Sequence, residues 1–240
     1  MPAFYARNAL HTNGKRSAKR TTPRAGSDAH KAGIAWVNAQ ASNGHLVCWF
    51  DAADVSVADG AVVDSWVSRV NGISLAPPAD SNRPVLDADG WNGGPAVKFT
   101  GTAGMRVYFG SGIASEAISA AALAYTNDTT NTATICEYTG NVYNNRGFAL
   151  LTEAGKPRTE LGADSARSYA VGPSACSANT PFAIGVIADR DDSPDTITVW
   201  DESGKLSPGS TGATDGSGDH ETAWLYVGSR LATGSRTLNG

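Results

Sequence analysis

The sequence predicts an all-β fold, an antiparallel sandwich, and three observations carry that expectation. The first is composition: 240 residues hold 27 Gly and only 18% charged residues. Asp exceeds Glu by 17 to 6, beside 43 Ser and Thr, so turn and strand formers outweigh the straight-chain residues that helices favour. The second is segmentation. From residue 45 short apolar runs recur between Gly, Asn, Asp or Pro clusters, with no helical period between them. The third is an apolar fraction of 41%, enough for a buried core and too much for a disordered chain.

Residues 1–44 come first, as a basic extended arm. Residues 1–31 hold seven basic side chains and one acid, Asp28, a balance of +6; the remaining 12 basic and 22 acidic residues leave the rest at −10. The stretch GKRSAKRTTPRAGSDAH has no apolar period and cannot make its own core. Phe4, Tyr5 and Leu10 supply apolar anchors, while Arg7, Lys15, Arg16, Lys19, Arg20 and Arg24 supply charge. That combination is expected of a docking arm ordered by what it binds. The acidic body would repel a nucleic-acid duplex, so an acidic protein surface is the expected partner. Ser27 or Asp28 can cap a short helix at 29–40 that buries Ile34 and Trp36.

Residues 45–240 read as one sandwich. Strands are expected near Leu46–Phe50, Val63–Val67, Ala96–Thr100, Met105–Phe109, Ala120–Tyr125 and Ala133–Tyr138. Others follow near Gly147–Thr152, Arg158–Leu161, Ser168–Val171, Phe182–Asp189, Ile197–Asp201 and Trp224–Gly228. Asp191, Asp192, Ser193 and Pro194 make the loop of one hairpin, and 207–220 reads as a long flexible loop. Trp49, Trp66, Trp200 and Trp224 lie within strand patterns and are expected in the core. No apolar stretch is long enough to span a membrane. Cys48, Cys136 and Cys176 are too few and too scattered for a disulfide framework or a zinc site.

The stretch LVCWFDAADVSVADGAVVDSWVSRVNG resembles the opening of concanavalin A-like (LamG-like) jelly-roll domains. GWNGGPAVKFTGTAGMRVYF is similar to a later stretch of that family, carried by Asn92, Gly93, Pro95, Val97, Phe99 and Gly101, and AWLYVGSR to its late strand. The resemblance covers about residues 45–240 and implies a jelly-roll sandwich with an extended N-terminal arm. It further implies a non-enzymatic structural protein of a bacteriophage particle, a capsid decoration or minor tail protein made in the host cytoplasm. Such a protein would sit in the virion in multiple copies, docked on capsid or tail proteins by its arm, with host-surface glycans as a further partner. The alternative is a carbohydrate-binding module of a bacterial surface or secreted protein. The family's pattern adds one more strand after the late Gly-Ser; further chain, a partner or the arm is expected to supply it.

Candidate sites are few. Asp51, Asp54 and Asp59, and again Asp189, Asp191, Asp192 and Asp195, lack the spacing of a calcium loop and read as turn caps. The run HETAW at 220–224 puts Trp224 where a second zinc ligand would stand. Glu116, Glu137, Glu153 and Glu160 are isolated along the chain, so no catalytic residue, metal or cofactor is expected, and the chain reads as no enzyme. Sugar recognition needs aromatic faces beside planar polar groups on loops. Trp91, Asn92, Tyr143, Asn144, Asn145 and Arg146 fit that requirement.

Overall fold

The computed structural model describes residues 3–7, 35–36, 38–44, 46–78, 83–91, 94–110, 117–126, 130–139, 147–163, 166–178, 180, 182–189, 196–201, 204–205, 210–212 and 223–229. Its strands are β1 (Ala3–Arg7), β2 (Leu46–Asp51), β3 (Trp66–Val67), β4 (Ser74–Leu75), β5 (Val85–Trp91) and β6 (Gly94–Lys98). Then come β7 (Met105–Phe109), β8 (Ala117–Ala124), β9 (Ala133–Thr139), β10 (Gly147–Glu153), β11 (Lys156–Ala163) and β12 (Ala166–Val171). The last are β13 (Phe182–Asp189), β14 (Thr196–Asp201), β15 (Gly204–Lys205), β16 (Ser210–Gly212) and β17 (Ala223–Val227). No helix of the described residues is long and apolar enough to cross a membrane.

Two sheets face each other across one core. The six-stranded sheet runs β15-β14-β13-β8-β1-β2 and the seven-stranded sheet β16-β12-β11-β10-β9-β17-β7, with β3-β4 and β5-β6 as separate ribbons. Strand alternation fills the gap. Cys48 and Phe50 of β2, Ala120 and Ala122 of β8, and Ile184 and Val186 of β13 meet Ile135 and Tyr138 of β9, Phe148 and Leu150 of β10, and Leu225 of β17. Tyr138 anchors the centre, stacked on Phe148 at 5.9 Å and edge-on to Phe109 at 5.7 Å. Truncating an aromatic at such a position costs about 3–5 kcal/mol.

Each of the twelve expected strands has a counterpart. The architecture is the expected jelly-roll type of sandwich, and the seven-stranded sheet is antiparallel throughout. The β13–β14 pair forms with Gly185 opposite Trp200 and Asp189 opposite Thr196.

Four features differ from the sequence reading. Residues 210–212, expected in a flexible loop, form β16, which pairs antiparallel with β12. The strand expected at 63–67 shrinks to Trp66–Val67, and Val63 N–H donates instead to Pro84 O at 2.9 Å. The expected helix at 29–40 is helical at 35–36 and 38–42, and Trp36, expected to be buried, is 47% exposed. Gly44 at φ +72° ends that helix, its N–H donating to Ala41 O, a conformation that glycine adopts without penalty. The fourth is β1. Five residues from the arm lie between β2 and β8 and run parallel to both, so an otherwise antiparallel sheet holds two parallel ladders.

Candidate functional site

The outward face of the seven-stranded sheet is built by register. Residues directly opposite in adjacent strands share a face. Arg106 of β7 lies opposite Tyr226 of β17, Tyr226 opposite Glu137 of β9, and Glu137 opposite Ala149 of β10. Ala149 lies opposite Glu160 of β11, and Glu160 opposite Tyr169 of β12. One row across six strands therefore reads cation, phenol, carboxylate, methyl, carboxylate, phenol. The tier beside it holds Tyr108, Trp224 and Thr139, and the tier on the other side Leu151 and Arg158.

This row departs from an ordinary solvated sheet face. Glu137 is 4% exposed and Glu160 6%, although both point away from the core, and buried carboxylates are rare unless partnered. Two strand spacings, about 9.6 Å, separate their backbones, with only the Ala149 methyl between. Glu160 Oε1 takes a bond from Arg158 Nη2 at 2.7 Å, and Arg158 Nη1 donates to Glu153 Oε2. The same guanidinium lies 4.5 Å from the Tyr169 ring centroid, while its Nε has no hydrogen-bond partner.

The other end of the row is aromatic. Tyr108, 53% exposed, meets Trp224 at 5.1 Å, and Trp224 meets Tyr226 at 6.4 Å. Arg106 stacks over the Trp224 ring at 4.3 Å, a favourable cation–π contact. Burial pushes the Tyr226 phenol above its ordinary pKa, and the Glu137 charge adds to that; its hydrogen bond with Arg106 works the other way.

A tight hairpin fixes the Arg158 end. Glu153 pairs with Lys156 across a two-residue turn, Ala154 at φ +48° and Gly155 at φ +74°, the conformation that suits the twist of two adjacent strands. At the aromatic end, Gly147 begins β10 where a Cβ would collide with the Tyr138 carbonyl oxygen. Only glycine lets β10 close on β9 there.

Chemically the face offers a ring platform for the apolar side of a ligand and guanidinium groups as donors. By register the charged positions of this face include Arg106, Lys156, Arg158 and Arg167 against Glu137, Glu153 and Glu160, close to neutral. No group of three or more metal-ligating side chains occurs among the described residues.

The residues expected from sequence stand elsewhere. Trp91 ends β5, opposite Gly94 in the β5–β6 ribbon, in neither large sheet. Asn92, Tyr143, Asn144, Asn145 and Arg146 lie outside the described residues. Of the arm, Phe4, Tyr5 and Arg7 are in β1; Leu10, Lys15, Arg16, Lys19, Arg20 and Arg24 lie outside the described residues. Trp224, expected in the core, stands half-buried on the outward face, because its strand buries Leu225 instead. Trp66 is buried as expected, and Trp49 is buried on the outer side of β2 with Leu46. The side chain of Trp200 is outside the described set. Glu137, Glu153 and Glu160, isolated along the chain, converge on one face.

The first Asp group does serve turns. Asp51 accepts from Ala53 N–H at 3.0 Å and Asp59 from Ala88 N–H at 2.9 Å, while Asp54 pairs with Arg69.

No family profile matches the sequence, and no curated protein does. Among solved structures the chain is similar to a SAP-like pentraxin from Limulus polyphemus, at 15% identity and a TM-score of 0.39, covering 52% of this chain and 57% of that one. It is also similar to the CBM40 of a Ruminococcus gnavus IT-sialidase bound to α2,3-sialyllactose, at 11% identity and a TM-score of 0.41, covering 54% and 72%. A third likeness is to the enzymatically active domain of bacteriophage CBA120 tailspike protein 2, at 13% identity and a TM-score of 0.46, covering 65% of this chain and 26% of that one.

Proposed function

We propose that this chain is a non-enzymatic carbohydrate-binding sandwich whose ligand lies on the outward face of the seven-stranded sheet. One observation carries the reading: Tyr108, 53% exposed, stands against the half-buried Trp224 at 5.1 Å, in the tier beside the row that holds Glu137 and Glu160. Sugars present an apolar face to stack on rings and hydroxyl groups to accept from guanidinium groups. The near balance of charge on the face favours a neutral glycan. Glu137 and Glu160 are too enclosed to touch the ligand; Glu160 acts by fixing the Arg158 guanidinium beside it.

A glycan microarray probed with the full chain, followed by calorimetry on the strongest neutral ligand, tests this. Trp224→Ala should weaken binding at least about tenfold, the loss of one good stacking contact. Absence of any glycan ligand, or binding indifferent to Trp224, overturns the reading.

The finer assignment is a structural protein of a bacteriophage particle, present in several copies and docked on capsid or tail proteins. It is favoured by the +6 balance of residues 1–31 ahead of an acidic body. Since Ala3–Arg7 are engaged in the sheet, the docking charge falls to Lys15, Arg16, Lys19, Arg20 and Arg24. Sedimentation of the native protein with capsid and tail proteins supports this assignment; a slow species free of both contradicts it.

A further inference from the structure

β1 lies in the interior of a sheet, between two strands far from it in sequence. Its described strand pairings are with β2 and β8 alone. Because β1 is parallel to both, those two strands run in the same direction and bound a slot two strand spacings wide, about 9.6 Å.

Both walls of the slot are held without β1. On one side β8 pairs with β13 along its whole length, from Ala117 opposite Asp189 to Ala124 opposite Phe182. On the other, the far edge of β2 is bonded by the segment that follows it. Trp49 N–H donates to Ser68 Oγ at 2.8 Å, Arg69 N–H to Trp49 O at 2.9 Å, and Asn71 Nδ2 to Val47 O at 3.1 Å. Trp66 Nε1 donates to Asp51 O at 2.9 Å. The wall residues 47, 49 and 51 thus have partners on the outside, which leaves the inner edge of β2 to receive a strand.

The register places each position of β1 between the two walls. Phe4 takes the register position between Cys48 and Ala120, and Tyr5 the one between Trp49 and Ala121. On the β8 side the partners belong to the Ala-rich strand AISAAALA, and on the β2 side they include Cys48, Trp49 and Phe50. Ala6 falls between Phe50 and Ala122. The register is the same whichever copy of the chain supplies the strand.

The covalent connection does not decide which copy that is. Thirty-eight residues separate Arg7 from Leu46, and at about 3.3 Å each they can extend beyond 100 Å. A basic arm and an acidic body also attract between copies. We propose that β1 is an exchangeable strand, and that where copies of this chain are crowded the first strand of one inserts between β2 and β8 of another. In dilute solution the tether, with an effective concentration of order mM, favours self-insertion; at comparable local concentrations the neighbour's slot competes.

Tyr5 and Ala121 are register partners, so Tyr5→Cys and Ala121→Cys place two thiols where a disulfide can close. The two full-length variants, each also C176S and carrying tags of different size, are refolded together at about 1 mM and oxidised. Exchange predicts the mixed Tyr5→Cys/Ala121→Cys dimer at about fivefold or more over either like-with-like dimer. Mixed dimer at the like-with-like level overturns the proposal. A chain carrying both substitutions, oxidised when dilute, should close on itself, and failure to do so places β1 outside the slot and equally overturns it. Ala3→Cys with Ser119→Cys, a second register pair, repeats the test with smaller changes in side-chain size.

Discussion

Two arginines in this molecule have the same surroundings and opposite consequences. Arg158 is forked between Glu153 and Glu160 and stacked on Tyr169. Arg69 is forked between Asp51 and Asp54 and stacked on Trp49. The arginine side chains differ in exposure, 15% against 35%, while their inner partners are alike, 8% for Glu160 and 11% for Asp51. The Arg69 group ties the 3₁₀ turn at Ala52–Asp54 to the strand before it, a staple at a sheet edge. The Arg158 group holds a carboxylate inside an outward sheet face where packing alone has no use for one. The exposure of the arginine distinguishes the turn clamp from the cluster on the sheet face.

Substitution should expose that difference. Arg158→Met leaves Glu160 buried without its cation and should cost about 3–5 kcal/mol in denaturant unfolding. Arg69→Met removes a cation that is 35% exposed, where water can replace part of its charge beside Asp51, and should cost less, about 1–2 kcal/mol; equal costs would mean that the exposure of the cation does not distinguish the clusters. Tyr108→Ala, at a half-exposed ring, should lower glycan affinity about tenfold and leave the unfolding midpoint nearly unchanged.

The thiols add a pH test on the same sheet. Although part of the Cys136 residue is solvent-accessible, its thiol is enclosed, and burial pushes its pKa from 9.0 up to about 12, with the Glu137 charge adding and a Leu150 backbone hydrogen bond opposing. Cys48 is also raised, by burial first. The unfolded thiol ionises near 9 while the folded one stays neutral, so its stabilisation is complete below about 9 and is lost as pH rises towards about 12. Unfolding free energy should fall across that window, less steeply in Cys136→Ala; parallel pH profiles would refute the assignment. The smallest effect is at the turn that aims Arg158. Ala154 holds φ +48°, and Ala154→Gly should be neutral to stabilising by about 0.5–1 kcal/mol, since glycine removes the left-handed penalty but loses more entropy on folding.

The strands were legible because each is a short run rich in apolar residues bounded by turn formers. In ATICEYT the apolar members Ile135 and Tyr138 face the core, and in GFALLTE Phe148 and Leu150 do. β1 was not legible as a strand: AFYAR is five residues inside a basic segment, and its partners lie far along the chain at β2 and β8. β16, reading STG, carries no apolar signal at all. The site was hidden for a related reason. Glu137 and Glu160 meet only through the registers of β9 with β10 and β10 with β11, and one slip in either would part them. The available signal was parity: both acids sit at outward positions of strands whose neighbouring outward residues, Ala149 and Leu151, are apolar. The Trp224 error has the same root, since AWLYV can bury either of its two faces and only pairing with β7 and β9 decides which.

The most direct test sets one outward face against the other. On the six-stranded sheet, Leu123 lies opposite Ala183, and Ile187 opposite Ser119; this face carries no acid or base at those positions. Glycan affinity is measured by calorimetry for the Tyr108→Ala/Trp224→Ala chain and for a Leu123→Ser/Ile187→Ser chain, each checked for folding. The account predicts binding abolished in the first and retained within about twofold in the second. Retention in the first, with loss in the second, would contradict it and move the binding surface to the opposite sheet.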